Sequence, residues 1–390
     1  MTGTITALPD VPGRFLDIHV LQSVPYANLN RDDTNSVKRV EYGNCERTRV
    51  SSQCWKRAVR RYFQRTIGEQ ALRTRRFGES VERLLSEERG WPKDLARRAG
   101  QHIAAGSSIK ADPPSQDDPA WSTNAMVYVP DIAIAELAQL AETHRELIEK
   151  AKDMKKGVKS VLPQDDIDAV LRSRNGVINL FGRMLAEIDD AGVDGAVQVA
   201  HALTTHGTDV EIDYFAAVDD ITDAWRDTAG SAHLGSNEFS AGVFYRFATL
   251  DLADLLRNIG GDVDAGRTLT AAFAEAFMLS LPEAKKTSTA PHTIPDLVQI
   301  SVRTDRPLSY AAAFEKPVGA DRSGGFAQPS RQALSQYAQA AGRLLGPRGV
   351  LHAGWASVDD KELSGLGSRA DSFGQLITEA VTAALGGETA

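Results

Sequence analysis

A single stretch, Ser51 to Ile67, carries two opposed surfaces at helical spacing. Trp55, Val59, Tyr62, Phe63 and Ile67 recur on one side, while Lys56 with Arg60, and Arg57 with Arg61 and Arg65, fall at i, i+4 on the other. Ser51 or Ser52 supplies an N-cap. The spacing predicts a helix to about Ile67 that buries an aromatic face and presents cations. Upstream, Phe15 to Leu21 alternates, with Leu16, Ile18 and Val20 on one side and Asp17 and His19 on the other, as a half-buried strand does. A polar, turn-prone stretch including Asn28, Asn30, Arg31, Asp32, Asp33, Thr34 and Asn35 joins the two.

The remainder reads as an α+β chain. From Glu69 to about Asn175 the pattern is helical and polar, broken by a loop from Gly106 to Thr123 containing Asp112-Pro113-Pro114 and Asp118-Pro119. A long helix is expected from Asp131, which follows Pro130, to about Lys156, stopping near Gly157. Strand patterns return at Val177–Met184, Ala196–His206 and Val243–Ala248, with an acidic, irregular excursion from Gly207 to Ser240. Helices are expected at Asp251–Ile259, Thr268–Leu281 and Pro329–Leu345, a strand at Leu297–Arg303, and a frayed end from Gly386. This succession is compatible with an RNA-recognition-like ferredoxin sheet enlarged by insertions.

Charge is distributed unevenly. The chain of 390 residues has a formal net charge of −8, which by itself argues against a nucleic-acid partner. Between Lys38 and Arg76, however, twelve basic residues face only three acidic ones, the mark of a polyanion site on an acidic body. With 42% hydrophobic and 25% charged residues the chain is too apolar for general disorder. Cys45 and Cys54, the only cysteines, cannot build a disulfide framework or a paired metal knuckle. Met1 to Gly13 lacks signal-peptide character and no segment approaches the ~20 apolar residues of a membrane span, so a cytoplasmic protein without membrane contact is expected. No P-loop and no GxSxG pattern occurs, and His201, His206 and His233 form no coordination set and are expected to be structural histidines, so neither cofactor nor metal is expected.

Several blocks, in order, resemble one family: FLDIHVLQSVPYANLNRDD from Phe15, RVSSQCWKRAVR to Arg60, GRM at Gly182–Met184, DGAVQVAHALTTH at Asp194–His206, EIDYFAAVDD at Glu211–Asp220, GSAHLGSNEFSAGVFYRFA at Gly230–Ala248 and AFEKPV at Ala313–Val318. They are similar to the CasC family, the guide-binding backbone subunit of the type I-E CRISPR Cascade surveillance complex. The resemblance implies a right-hand-shaped protein: an RRM-like palm (14–68, 176–206 and 231–390 with the C-terminal region), a helical fingers insertion (69–175) and an extended thumb (207–230). It implies a non-catalytic protein that polymerises along guide RNA (crRNA) and holds it, kinked and segmented, for pairing with target DNA in antiviral defence. The implied partners are further copies of itself, the large and small subunits, the subunit holding the guide's 5′ handle, and the guide-processing endoribonuclease.

Gln53, Lys56, Arg57 and Arg60 have the helical spacing needed to follow a phosphate backbone without reading bases. Arg31 and Lys38 match basic palm positions of the family, so the resemblance assigns them to the guide as well. Met184, Tyr214 and Phe215 read as core residues on pattern alone, whereas the resemblance makes them wedges against displaced nucleotides. That role is physically coherent, since an apolar side chain stacks on any base without reading it. Lys155, Lys156 and Lys159, beside Lys150 and Lys152, sit at the expected end of the long helix, where its dipole favours cations. The resemblance turns that cluster toward duplex DNA. The competing expectation is a metal-dependent endoribonuclease of the type III backbone kind, using Asp32 and Asp33 to hold Mg²⁺.

Overall fold

The structure is a computed structural model, and it describes residues 9–115, 120–217 and 233–387. The chain opens with β1 (Phe15–Ala27), a short hairpin of β2 (Arg39–Glu41) and β3 (Glu46–Val50), and helix α1 (Ser52–Ile67). There follow β4 (Ala71–Thr74), α2 (Phe77–Arg83), α3 (Lys93–Gly106), β5 (Ala111–Asp112), β6 (Ser122–Thr123) and β7 (Val127–Pro130). Next come α4 (Ile132–Thr143), α5 (Arg145–Lys150), α6 (Gln164–Arg172) and α7 (Gly176–Phe181). Strands return as β8 (Val197–Val199), β9 (Ala202–Thr204), β10 (Glu211–Ala217) and β11 (His233–Asp251), followed by α8 (Leu252–Asn258), α9 (Val263–Leu279) and α10 (Lys286–Thr289). The end of the chain forms β12 (Leu297–Arg303), α11 (Ala327–Leu345), β13 (Val350–Ser357), β14 (Ser368–Arg369) and α12 (Phe373–Leu385). These elements make two compact units, one of Met1–Phe63, Val197–Ala253 and Asp262–Ala390, the other of Gln64–Ala196 and Asp254–Gly261.

The first unit is built on one sheet in the order β14-β13-β12-β1-β11-β9-β3-β2, with β8 and β10 also paired to β11. Strand β1 pairs antiparallel with β11 from Phe15↔Asp251 to Val24↔Gly242, and with β12 from Phe15↔Arg303 to Leu21↔Leu297. Within it, β1, α1, β9, β11, α9 and β12 follow one another as βαββαβ with strand order β12-β1-β11-β9, the ferredoxin-like arrangement. Leu16, Ile18 and Val20, aligned with Leu250, Ala248, Val302, Ile300 and Val298, form a wholly buried apolar face. On that face the Arg246 guanidinium lies 3.8 Å over the Trp55 ring of α1 and 4.8 Å over Phe277 of α9, while donating to Gln22 Oε1.

The other face differs from expectation, because its polar side chains are buried too. Asp17 and His19 have no exposed surface. Tyr310, Phe314 and Leu334 of α11 pack with Leu21, Tyr245 and Trp355 and seal this side of the sheet. His19 stacks on Tyr310 at 4.2 Å and its Nδ1 lies 2.9 Å from the Tyr245 hydroxyl; Asp17 accepts from Leu308 N at 2.8 Å. Burial lowers His19 to about 3 and raises Asp17 to about 6. The covering layer therefore keeps His19 neutral and disfavours, without abolishing, the charged form of Asp17.

The second unit has its own core, including Phe77, Val81, Ile103, Val127, Leu137 and Ile167. Helices α2 and α3 cross at glycines: a Cβ on Gly78 would stand 2.5 Å from Gly100 O, and one on Gly100 would stand 2.4 Å from Gly78 O. Among the described residues no helix is long and apolar enough to cross a membrane.

Several elements depart from the expected pattern. Val177–Met184 is helical to Phe181 rather than a strand, since Asn175 Oδ1 caps Ile178 N at 3.2 Å and Gly182, at φ 80°, ends the turn. The long helix stops at Thr143, resumes for Arg145–Lys150 and ends there; beyond Lys150 the backbone pairs with side chains of α3 instead of continuing its own ladder. Ala196–His206 divides into β8 and β9, both on β11. The acidic stretch from Gly207 contains β10 and the start of β11, paired from Glu211↔Phe239 to Ala217↔His233. Glu211 to Phe215 are exposed on both faces of the strand, which then needs no apolar alternation, so its sequence reads as irregular. Residues 218–230 of the expected thumb lie outside the described residues. Strand β13 and helix α12 were not anticipated.

Candidate nucleic-acid interface

Helix α1 begins as its sequence requires. Ser51 is the cap: its Oγ accepts from Cys54 N at 3.3 Å, and its carbonyl receives the first helical bond from Trp55 N. Two earlier amides are satisfied from outside the helix, Ser51 N by Asn30 Oδ1 at 2.8 Å and Ser52 N by His201 Nδ1 at 2.9 Å. Trp55, Val59 and Phe63 are fully buried, which fixes the helix about its own axis. Gln53, Arg57 and Arg61 then stand exposed at successive turns, with Lys56 and Arg60 half-buried beside them. Arg61 is paired with Glu283. The helix thus presents a cationic row on a rigid rod.

The Asn30–Lys38 loop lies against the start of this helix. Cys54 Sγ donates to Leu29 O at 3.4 Å, and Leu29, Asn30, Arg31, Asp32, Asp33, Asn35, Cys54 and Ala284 line an open cleft of about 460 Å³. Arg31 is exposed and donates to Asn35 Oδ1 at 2.7 Å. Burial raises the Cys54 thiol while Lys38 and Arg57 pull it down, which places both cations about one side chain. The structure therefore brings Arg31, Lys38, Gln53 and Arg57 together at one end of α1. Asp32 sits in the same loop, but its Oδ1 accepts from Thr34 N, Thr34 Oγ1 and Ser36 N at 2.8–2.9 Å, and these bonds lower its pKa. Asp33 is exposed. Among the described residues no group of three His, Cys, Asp or Glu could hold a metal ion.

Tyr214 and Phe215 lie on β10, and they are not core residues: 71% of Tyr214 and 42% of Phe215 is exposed. Phe215 faces Gly235 across the ribbon, where a Cβ would come within 2.5 Å of its ring. Gly235 makes room for that ring to lie flat.

The remaining sites belong to the second unit. Met184 follows Gly182 and Arg183 on the segment after α7 and is 91% exposed. Lys155, Lys156 and Lys159 are exposed, but in a loop rather than at a helix end, so the dipole account of their position fails. That loop is pinned by buried Met154, by Met154 N donating to Gln101 Oε1 at 2.9 Å, and by His102, which lies 3.1 Å from Lys152 O and accepts from Val161 N at 3.3 Å.

Residues 16–379 match the family described as CT1975-like protein. The chain belongs to that family. A chain of a solved structure described as "CRISPR RNA-guided surveillance complex, pre-nicking" is 44% identical, with a TM-score of 0.88 over 95% of this chain and 99% of that one. A chain of another, described as "CRISPR RNA-guided surveillance complex", is 40% identical, with a TM-score of 0.78 over 95% of this chain and 100% of that one. No curated protein matches.

In this CT1975-like chain two further residues join the α1 end of the first unit: Lys285, which sequence reasoning passes over, and His201, to which it gives no place at the interface. Lys285 donates to Asn237, and burial together with Arg31 lowers its pKa, so it stands beside Arg31 despite their distance in sequence. His201, expected to be a structural histidine, does serve structure, but it does so as an acceptor for the amide of Ser52, at the head of the cationic helix. His206, with the same expectation, bonds Gly207 O and Val243 N and stacks on Phe326 at 3.6 Å. His233 has no described side chain.

Proposed function

We propose that this CT1975-like protein is a guide-RNA-binding subunit of a CRISPR surveillance complex, and more narrowly the CasC-type backbone subunit of a type I-E Cascade. In this reading Arg31, Lys38, Gln53, Lys56, Arg57 and Arg60 grip the guide's phosphates. Met184, Tyr214 and Phe215 wedge against displaced nucleotides, so the guide is kinked and segmented for pairing with target DNA. Lys155, Lys156 and Lys159 touch that DNA. Several copies line one guide, beside the large and small subunits, the 5′-handle subunit and the processing endoribonuclease, in the cytoplasm.

The observation that carries the reading is the α1 row, where cations follow a helical period on a helix whose opposite side is fixed by buried aromatics. A ferredoxin-like RNA-binding domain ordinarily stacks bases on its sheet face, and here Tyr310, Phe314 and α11 cover that face. Helix and loop cations remain as the surface suited to a polyanion. Three large apolar side chains left in solvent, Met184, Tyr214 and Phe215, support sequence-blind stacking. Base pairing then does the reading.

The test is a nuclease footprint on guide bound to the assembled protein. Evenly spaced points of exposure are expected; uniform protection, or one protein per guide, would contradict the backbone role. The rival endoribonuclease reading predicts regular Mg²⁺-dependent cuts in complementary RNA that disappear in Asp32→Ala or Asp33→Ala. Against it stand the three hydrogen bonds that hold Asp32 Oδ1 in its turn.

A further inference from the structure

The GRM block holds an arginine that the proposed function leaves without a task. Arg183 is 4% exposed and commits its guanidinium entirely to backbone carbonyls. Nε donates to Ala191 O at 2.8 Å; Nη1 donates to Tyr128 O at 3.1 Å, Leu171 O at 3.0 Å and Ser173 O at 2.9 Å; Nη2 donates to Arg172 O at 2.9 Å. Leu171, Arg172 and Ser173 close helix α6, whose last carbonyls have no partner within the helix and whose dipole favours a cation. Tyr128 belongs to β7. One side chain thereby ties the segment after α7 to a helix end and a strand.

The backbone around it is equally fixed. Arg183 and Val193 exchange both N–H···O bonds at 2.8 Å. Gly182 has φ 80° and lies so close to Gly195 that a Cβ on it would stand 2.7 Å from Gly195 N, so the two flanking chains meet without side chains between them. Burial lowers Arg183 only to about 10, so it stays cationic at neutral pH. In extended backbone consecutive side chains point to opposite sides. An arginine locked inward at 183 therefore fixes the outward direction of Met184, 91% of which is exposed. An exposed methionine on a slack loop would instead fold over to bury itself.

We infer that Arg183 is a positioning residue that makes Met184 a stiff wedge, holding it through the carbonyls at the end of α6 and on β7. This rests on the proposed role of Met184, and the experiment separates the two claims. Lysine keeps the charge at 183 but cannot reproduce a planar fork of five donors. Complexes assembled with guide and partner subunits from wild type, Arg183→Lys, Met184→Ala and the double variant are compared by guide retention and by nuclease footprint. The expected result is the same guide retention in all three variants, with the same loss of evenly spaced exposure in each single variant and no further loss in the double. Sharp exposure in Arg183→Lys alongside its loss in Met184→Ala overturns the inference and leaves the wedge intact. Sharp exposure in Met184→Ala removes the wedge, and the inference with it. Should Arg183→Lys fold poorly, amide exchange in the unaltered protein gives a second arm: Arg183 and Val193 amides should exchange as slowly as those of α3. Exchange as fast as at Gly157 overturns the clamp.

Discussion

The two basic clusters, the α1 row and the 151–161 loop, both lean on a histidine that accepts a backbone amide at Nδ1, yet they are built differently. His201 receives Ser52 N at the head of a helix whose cations repeat at a fixed period. His102 receives Val161 N in a loop whose backbone is held by α3 and whose Lys156 pairs with Asp112. A helix fixes the spacing of its charges before any ligand arrives, whereas a loop offers charge without register. The first suits a single strand that must be held in one path, and the second a duplex approached without sequence or register preference.

The contrast can be broken most forcefully at α1. Neutralising Lys56, Arg57 and Arg60 together should cut guide retention on the order of a hundredfold or more at moderate salt, read by filter binding. Unchanged retention would remove the distinction altogether. Replacing Lys155, Lys156 and Lys159 by alanine should weaken duplex capture about tenfold, flatten its salt dependence by roughly 0.9 in slope for each phosphate no longer neutralised, and spare the guide. Equal losses of guide and duplex would merge the two sites.

Smaller effects sharpen the comparison. Asn30→Ala removes the acceptor for Ser51 N and should cost about 1 kcal/mol of stability, seen as a lowered Tm, with a modest loss of guide affinity. The least effect is expected from acid. Burial lowers both His102 and His201 below their ordinary value of 6.5. Each contributes stability that is complete above that unfolded value and is lost as pH falls from it toward the folded one. Imidazolium carries a proton on both nitrogens and repels the amide it formerly accepted. Exchange at Val161 and Ser52, corrected for the intrinsic rate, should quicken as the pH is taken down from 6.5, while Ser51, held by Asn30, should not respond. Identical behaviour of all three amides would show that the histidines are not the contacts that matter.

Long periodic patterns were sufficient for several elements, though not for the helix expected from Asp131 to about Lys156, which breaks after Thr143. The aromatic stripe from Trp55 to Phe63 made α1 visible to its last residue, and β1, β12 and α11 were legible for the same reason. Short apolar runs were not: GVINLF fits a buried strand and a buried helical turn equally, and Asn175 with Gly182 decided it. The polar side of β1 was misjudged because alternation reports chemistry and not coverage. Asp17 and His19 look like solvent-facing residues until Tyr310 and Phe314, almost three hundred positions later, close over them.

Local spacing alone placed Gln53, Lys56, Arg57 and Arg60 on one helix, because helical geometry is set within a few residues. Tertiary structure decided that Arg31, Lys38 and Lys285 meet at its start, that Met184, Tyr214 and Phe215 are left in solvent, and that the lysines of 155–159 sit on a loop. Those outcomes depend on what distant chain packs against each residue, since burial and hydrogen-bond partners belong to the folded whole and leave no periodic trace in the chain.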